Sequence, residues 1–353
     1  MDDEKDAETQ KDEEPLLSHF YCLFLHNSAE LIIKKTNLDN EKSQKLKNLL
    51  EQRLEKGQVH SGIGAVLPSE NGDKSGCYYN SFESSGQTSS SKYIICLLTE
   101  VEQTLDLFRT DIDRLCLELK PSIQAMNPEG DVPDDIGASL QNWHSIAVDY
   151  MVRCNLALGD NLKYLVYAAL MDHKLQVSGG TEELQTDIKR FYAACSMSDI
   201  LSQLRESRAT QADHSPMGSI DMLTDLNTTQ AESQAALTVS ITEDSIKLDS
   251  SDCNLFCEEW AGKLAKAEYR ENALRLKQII DLLKLKFIQT MNVLKRLLRD
   301  AEKDFYTLYR TFLFLRDSGN NEILLHYVST EGSSETAKVL VVLRDFIQEQ
   351  TVQ

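Results

Sequence analysis

The sequence predicts an all-α protein, an elongated helical bundle with two long coiled-coil-like helices and disordered linkers between helical parts. Three observations point that way. The 353 residues contain only 6 prolines and 15 glycines, gathered into a few stretches, so long segments carry neither helix breaker. Ile94, Leu98, Val101, Leu105, Phe108, Ile112, Leu115 and Leu119 alternate spacings of four and three, an a/d seam that ends at Pro121. A second seam runs Leu276, Ile280, Leu283, Phe287, Met291, Leu294, Leu298, Ala301, Phe305, Leu308, Phe312 and Leu315, with no Gly or Pro between Gly262 and Gly319.

Taken in order, residues 1–14 form an acidic tail, with eight acids against Lys5 and Lys11 and only Met1 and Ala7 apolar, which cannot bury itself. Residues 15–57 are expected to be an N-terminal helical segment that stops at Gly57. Residues 58–91 collect Gly, Ser, Asn and Pro and are expected to be a linker; Gly62-Ile63-Gly64 within it lacks the third glycine and βαβ context of a phosphate loop. Residues 92–207 are the first part of the bundle: the helix of the first seam, core helices from Ala138 to His173 with Gly159 at a break, and a helix capped by Thr181 with Glu182 and Glu183 in its first turn. Residues 208–252, rich in Ser, Thr, Asp and Gln, are expected to be disordered. Residues 253–353 hold the second seam, which as one helix would extend roughly 70 Å at 1.5 Å per residue.

Composition excludes several classes of function. A net charge of −19 disfavours nucleic acid as a partner, because binding phosphates relies on Lys and Arg. The start Met1-Asp2-Asp3-Glu4 reverses the charge of a secretory signal, and no apolar run approaches the ~20 residues of a membrane span. A cytoplasmic or nuclear location follows as an expectation. The 8 cysteines show no framework spacing and read as small buried hydrophobes.

Reactive chemistry has little foothold. No H-E-x-x-H, G-x-S-x-G or G-x-x-x-x-G-K-[ST] motif occurs, and Cys253 with Cys257 lacks a second ligand pair for zinc. No cofactor, metal or catalytic residue is therefore expected. Between Arg270 and Arg316 eleven basic residues face five acidic ones, a local +6 in an acidic chain. That face suits an acidic partner or the protein's own tail, although basic residues also simply solvate long helices. Candidate interaction residues are Leu294, Leu298, Phe305 and Phe312 along the seam, with Arg296, Arg299 and Arg310 beside it.

Tyr93 to Lys120 resembles the first long helix in the helical domain of anaphase-promoting complex subunit 4. Leu274 to Leu315, above all AEKDFYTLYRTFLFL from Ala301, is similar to the aromatic-rich final helix of that domain. The resemblance implies a non-catalytic scaffold in the platform of a cell-cycle ubiquitin ligase. From the residues themselves the expected function is a scaffold or adaptor subunit that binds other protein subunits through helical surfaces. The alternative is a coiled-coil subunit of a cytoskeletal, kinetochore or vesicle-tethering assembly, with homo-oligomers formed by helices pairing between chains.

Overall fold

The computed structural model describes residues 19–27, 30–57, 61–68, 74–84, 91–100, 102–198, 236–242, 245–331 and 334–351. The fold is not all-α: it contains a five-stranded and a three-stranded sheet beside its helices. The chain divides into two compact units, Met1–Val148 and Asp149–Gln353.

The first unit opens with strands where helices are predicted. β1 (His19–Asn27) and β2 (Glu30–Thr36) form a hairpin, followed by α1 (Asn40–Glu55), whose N-cap Asp39 accepts a hydrogen bond from the Lys42 amide at 2.7 Å. β3 (Ser61–Pro68) and β4 (Lys74–Glu83) fall in the stretch read as a linker, and β5 (Lys92–Thr99) replaces the start of the first seam. The antiparallel sheet runs β2-β1-β5-β4-β3, with Cys22 opposite Cys96 and Tyr78 opposite Leu97.

Both faces of this sheet are covered, and that explains the misreading. Cys22 and Phe24 of β1 with Ile94, Cys96 and Leu98 of β5 pack against Leu46 and Leu50 of α1. The alternate residues Tyr21, Leu23, Leu25, Tyr93, Ile95 and Leu97 are equally buried on the other face. A strand covered on both sides reads as a continuous apolar run, which at this length mimics a helical stripe.

Helix in the first seam begins only after β5, in α2 (Glu102–Leu107) and α3 (Arg109–Gln124), which pack on β4 and β5; α3 continues through Pro121. α4 (Asp134–Gln141) follows, and the Trp143 indole beyond it donates to the Phe20 carbonyl at 3.1 Å.

The second unit begins with α5 (Tyr150–Leu158) and α6 (Leu162–Leu170), separated at Gly159, where φ is +50°. β6 (Lys174–Gly179) precedes α7 (Glu182–Cys195), whose cap Thr181 accepts from the Leu184 amide at 3.2 Å. β7 (Ala236–Ile241) pairs parallel with β6 and antiparallel with β8 (Ile246–Leu248), so the end of the stretch expected to be disordered is strand. Its alternation is visible in hindsight, because Leu237, Val239 and Ile241 are buried and Ser240 is exposed. Residues 208–235 and the acidic tail lie outside the described residues.

Between α5 and α7, Arg153 donates from Nε and Nη2 to the two oxygens of buried Asp187, at 2.7 and 3.0 Å. Asp187→Ala removes both charge-assisted bonds and is expected to cost about 1.5–3 kcal/mol of stability in urea unfolding. Arg153→Lys should lose part of that, since a lysine cannot reproduce the paired fork. A loss below 0.5 kcal/mol for Asp187→Ala, about the size of an ordinary surface change, would show that the pair is not structural.

α8 (Leu255–Leu264) and α9 (Ala273–Ala301) lead into the second seam. α9 has 29 residues, about 43 Å at the usual rise, not the single 70 Å rod. The chain turns at residues 302–304 and restarts as α10 (Phe305–Ser318), which ends at Gly319 with φ +68°. Asp304 makes the break: its side chain accepts from the Tyr306 and Thr307 amides at 3.2 and 3.0 Å, an N-cap inside an unbroken heptad pattern. α11 (Asn321–Glu331) and α12 (Ser334–Thr351) complete the unit. α9 packs on α5, α7, α8, α10, α11 and α12, so its whole seam from Leu276 to Ala301 is buried within the unit.

Candidate functional site

The cysteine thiols are held in their unreactive, protonated form. All eight cysteines are free, and all but Cys253 are buried. Burial pushes the thiols of Cys22, Cys116 and Cys195 up to about 12, so at neutral pH they stay protonated and are poor nucleophiles. Cys253 and Cys257 are raised for the same reason. Among the described residues no group of three His, Cys, Asp or Glu side chains is arranged to hold a metal ion. Trp143 is fully buried and its edge meets His19, which stacks on His144 at 4.7 Å. Trp260 is 5% exposed with the Lys263 ammonium 4.0 Å from its ring centre, so both indoles serve packing.

The candidate interaction residues are divided between core and surface. Leu294, Leu298 and Phe312 are 0%, 1% and 6% exposed and belong to the core. Phe305 is 77% exposed, and Arg296, Arg299 and Arg310 are exposed on α9 and α10. Phe305 is the first residue of α10 after the turn at 302–304, and α10 buries Thr311 and the seam residues Phe312 and Leu315 further along.

Seam reasoning passed over two exposed residues of α10, Tyr306 at 67% and Tyr309 at 53%. A signal was available, because Tyr306 and Tyr309 are large apolar residues off the seam of an amphipathic helix, positions usually polar. The Tyr309 ring lies 6.4 Å from Phe312, and Phe312 meets Phe346 of α12 edge-on at 6.1 Å. Phe346 is itself 38% exposed, next to Val342 at 40% one turn earlier. The result is an aromatic face spanning α10 and α12.

Residues 302–318 carry Lys303, Arg310 and Arg316 against Glu302, Asp304 and Asp317, so the stretch has no net charge. Asp304 caps the helix, and Asp317 accepts from Arg316 at 2.9 Å. Lys303 and Arg310 are exposed and have no acidic partner among the described residues. Among those residues no helix is long and apolar enough to cross a membrane.

Fold and site together define a two-unit protein of mixed α and β structure, whose conspicuous surface feature among the described residues is an exposed aromatic face. The chain belongs to the Njmu-R1-like protein family, whose model matches residues 7–349. It is 27% identical over 338 residues to Protein Njmu-R1 of Mus musculus, an alignment that spans 91% of this chain and 81% of that one. These matches overturn the resemblance to anaphase-promoting complex subunit 4, which rested on amphipathic stripes that strands of the first unit also produce. A solved structure described as Erythrobacter litoralis EL346 blue-light activated histidine kinase aligns with 75% of this chain and 87% of its own at 10% identity. Its TM-score is 0.28, a value from which no shared fold follows.

Proposed function

We propose that the protein is a non-catalytic scaffold or adaptor subunit of a multiprotein complex. The observation that carries this reading is the solvent-facing cluster of Phe305, Tyr306 and Tyr309 on one helix, 77%, 67% and 53% exposed. Large aromatics left in water at adjacent positions are costly to solubility and are concentrated at protein interfaces. The protonated thiols fit the same reading, since a chain that works by surface needs no activated nucleophile. The seam of α9 is occupied by helices of its own unit, which favours an adaptor over a coiled coil formed between chains.

Light scattering of the purified chain over a concentration series, followed by affinity capture from cells with mass spectrometry, tests the reading. A monomer that recovers a fixed set of subunits at constant stoichiometry is the expected result. A chain that recovers no such set, or that self-assembles through its helices, overturns it.

A further inference from the structure

We propose that the outward side of α9, from Arg275 to Arg299, seats an acidic amphipathic helix of a partner protein. The inference rests on the scaffold reading and adds to it a second surface and the chemistry of what binds there. Three observations select this occupant.

The first is an outer seam. Leu282 and Leu285, 55% and 51% exposed, each follow a buried residue of the inner seam, Ile280 and Leu283, by two positions, and two residues turn a helix by about 200°. The same step leads from buried Phe287 to exposed Gln289 and from buried Leu294 to exposed Arg296. Together with Arg275, Gln278, Asn292 and Arg299, these positions alternate spacings of three and four over about 36 Å of helix, the repeat against which another helix packs. Along it a leucine layer comes first after Arg275 and Gln278, then an amide layer, Gln289 with Asn292, then an arginine layer, Arg296 with Arg299. A face that only meets water alternates charges of both signs, and no acid occupies any of these positions.

The second is charge. α9 carries seven basic residues against Asp281 and Asp300, and Asp281 is held by Lys277 at 3.1 Å. Counting on through the turn to Asp304 gives eight bases and four acids, a net +4. The flanks do not reverse that sign. Residues 265–272 set Lys266 and Arg270 against Glu268 and Glu271, and Glu259 of α8 is engaged by Lys263 at 2.8 Å. Arg296 and Arg299 are exposed and have no acidic partner among the described residues. In a chain of net charge −19 this helix therefore selects a partner whose carboxylates lie opposite the arginine layer. The leucines supply the desolvated contact, and the arginines fix direction and register.

The third is how poorly other occupants fit. A second copy laid parallel sets Arg296 on Arg296, and laid antiparallel over the whole seam it sets Arg275 on Arg299 and leucines on amides. Residues 1–14 are acidic but hold only Met1 and Ala7 as apolar side chains, too little to cover the leucines. An interfacial helix turns its apolar face into lipid, and that face of α9 is buried within its own unit. Single-stranded nucleic acid stacks its bases on aromatic rings, and the outer seam has none.

The test replaces Gln289, between the leucine and arginine layers, with p-benzoylphenylalanine in the full-length protein, irradiates cells, and identifies the crosslinked peptide by mass spectrometry. The expected adduct is a peptide of one other protein, with apolar residues spaced three and four apart on one side of the crosslink and Asp or Glu on the other. Arg296→Glu combined with Arg299→Glu in the same chain should lower the adduct yield by at least about tenfold, with the melting temperature unchanged because both side chains are exposed. The same probe at Leu117 of α3, 61% exposed, should not give that adduct. Adducts to lipid, to nucleic acid, to residues 1–14, to a second copy or to a peptide without acidic residues overturn the proposal, as does the absence of any adduct or an unchanged yield in the double variant. If the double variant still recovers the full set of subunits, this seat is wrong and the scaffold reading stands. If the unaltered chain recovers no set, the scaffold reading itself fails.

Discussion

Leu298→Ala is expected to lower the unfolding free energy by about 2–5 kcal/mol, whereas Phe305→Ala, seven residues further on in the same heptad pattern, should change it by less than about 0.5 kcal/mol. Leu298 is 1% exposed in the seam of α9, so its removal gives up burial and leaves a cavity among helices of its own unit. Phe305 sits beyond the turn at 302–304 and is 77% exposed, so truncation removes almost no buried contact. Urea unfolding of both variants, with the slope checked to be constant, measures the difference. Comparable losses would mean that α9 and α10 are one continuous helix and that the Asp304 cap does not form. If the aromatic face binds a partner, Phe305→Ala should instead show its effect in partner recovery.

The second large effect is expected at Gly179. This glycine ends β6 with φ +76°, and a Cβ there would collide with the backbone carbonyl oxygen of Ile241, its partner in the β6–β7 ladder. Backbone strain and a collision with main chain that cannot rotate away act together, so Gly179→Ala should cost about 2–4 kcal/mol. Gly57→Ala is the control. Its φ is +66°, yet nothing lies within 4 Å of the added carbon, and the loss should be only the about 1–2 kcal/mol of left-handed strain. Hydrogen exchange of the β7 amides distinguishes the two, because the Gly179 variant should open the parallel ladder and the Gly57 variant should leave it protected. Equal losses would mean that the ladder yields to make room and that close approach contributes nothing.

The residues themselves account for much of the second unit. The cap at Thr181, the break at Gly159, the stop at Gly319 and the apolar positions of α9 are local features, fixed by hydrogen bonds and spacings within a turn or two. Such features are legible because a helix closes its bonds within four residues. The acidic balance of the chain and the local basic excess of the α9 and α10 segment were equally plain.

Only the tertiary structure decided the rest. The segments from Phe20 to Leu25 and from Tyr93 to Leu98 are apolar at every position, and whether such a run is helix or strand depends on what covers each face. Here α1 covers one face of the five-stranded sheet and α2 and α3 the other, pairings set by residues far apart in sequence. β3 and β4 look like linker for a related reason: their strand character comes from hydrogen bonds to neighbours, so Gly and Ser are tolerated beside buried Cys77 and Tyr78. The fate of Phe305 turned on a single capping residue. Asp304 interrupts a pattern that spacing alone reads as continuous and starts a new helix at Phe305, which is left in solvent although the seam positions Phe312 and Leu315 further on stay buried.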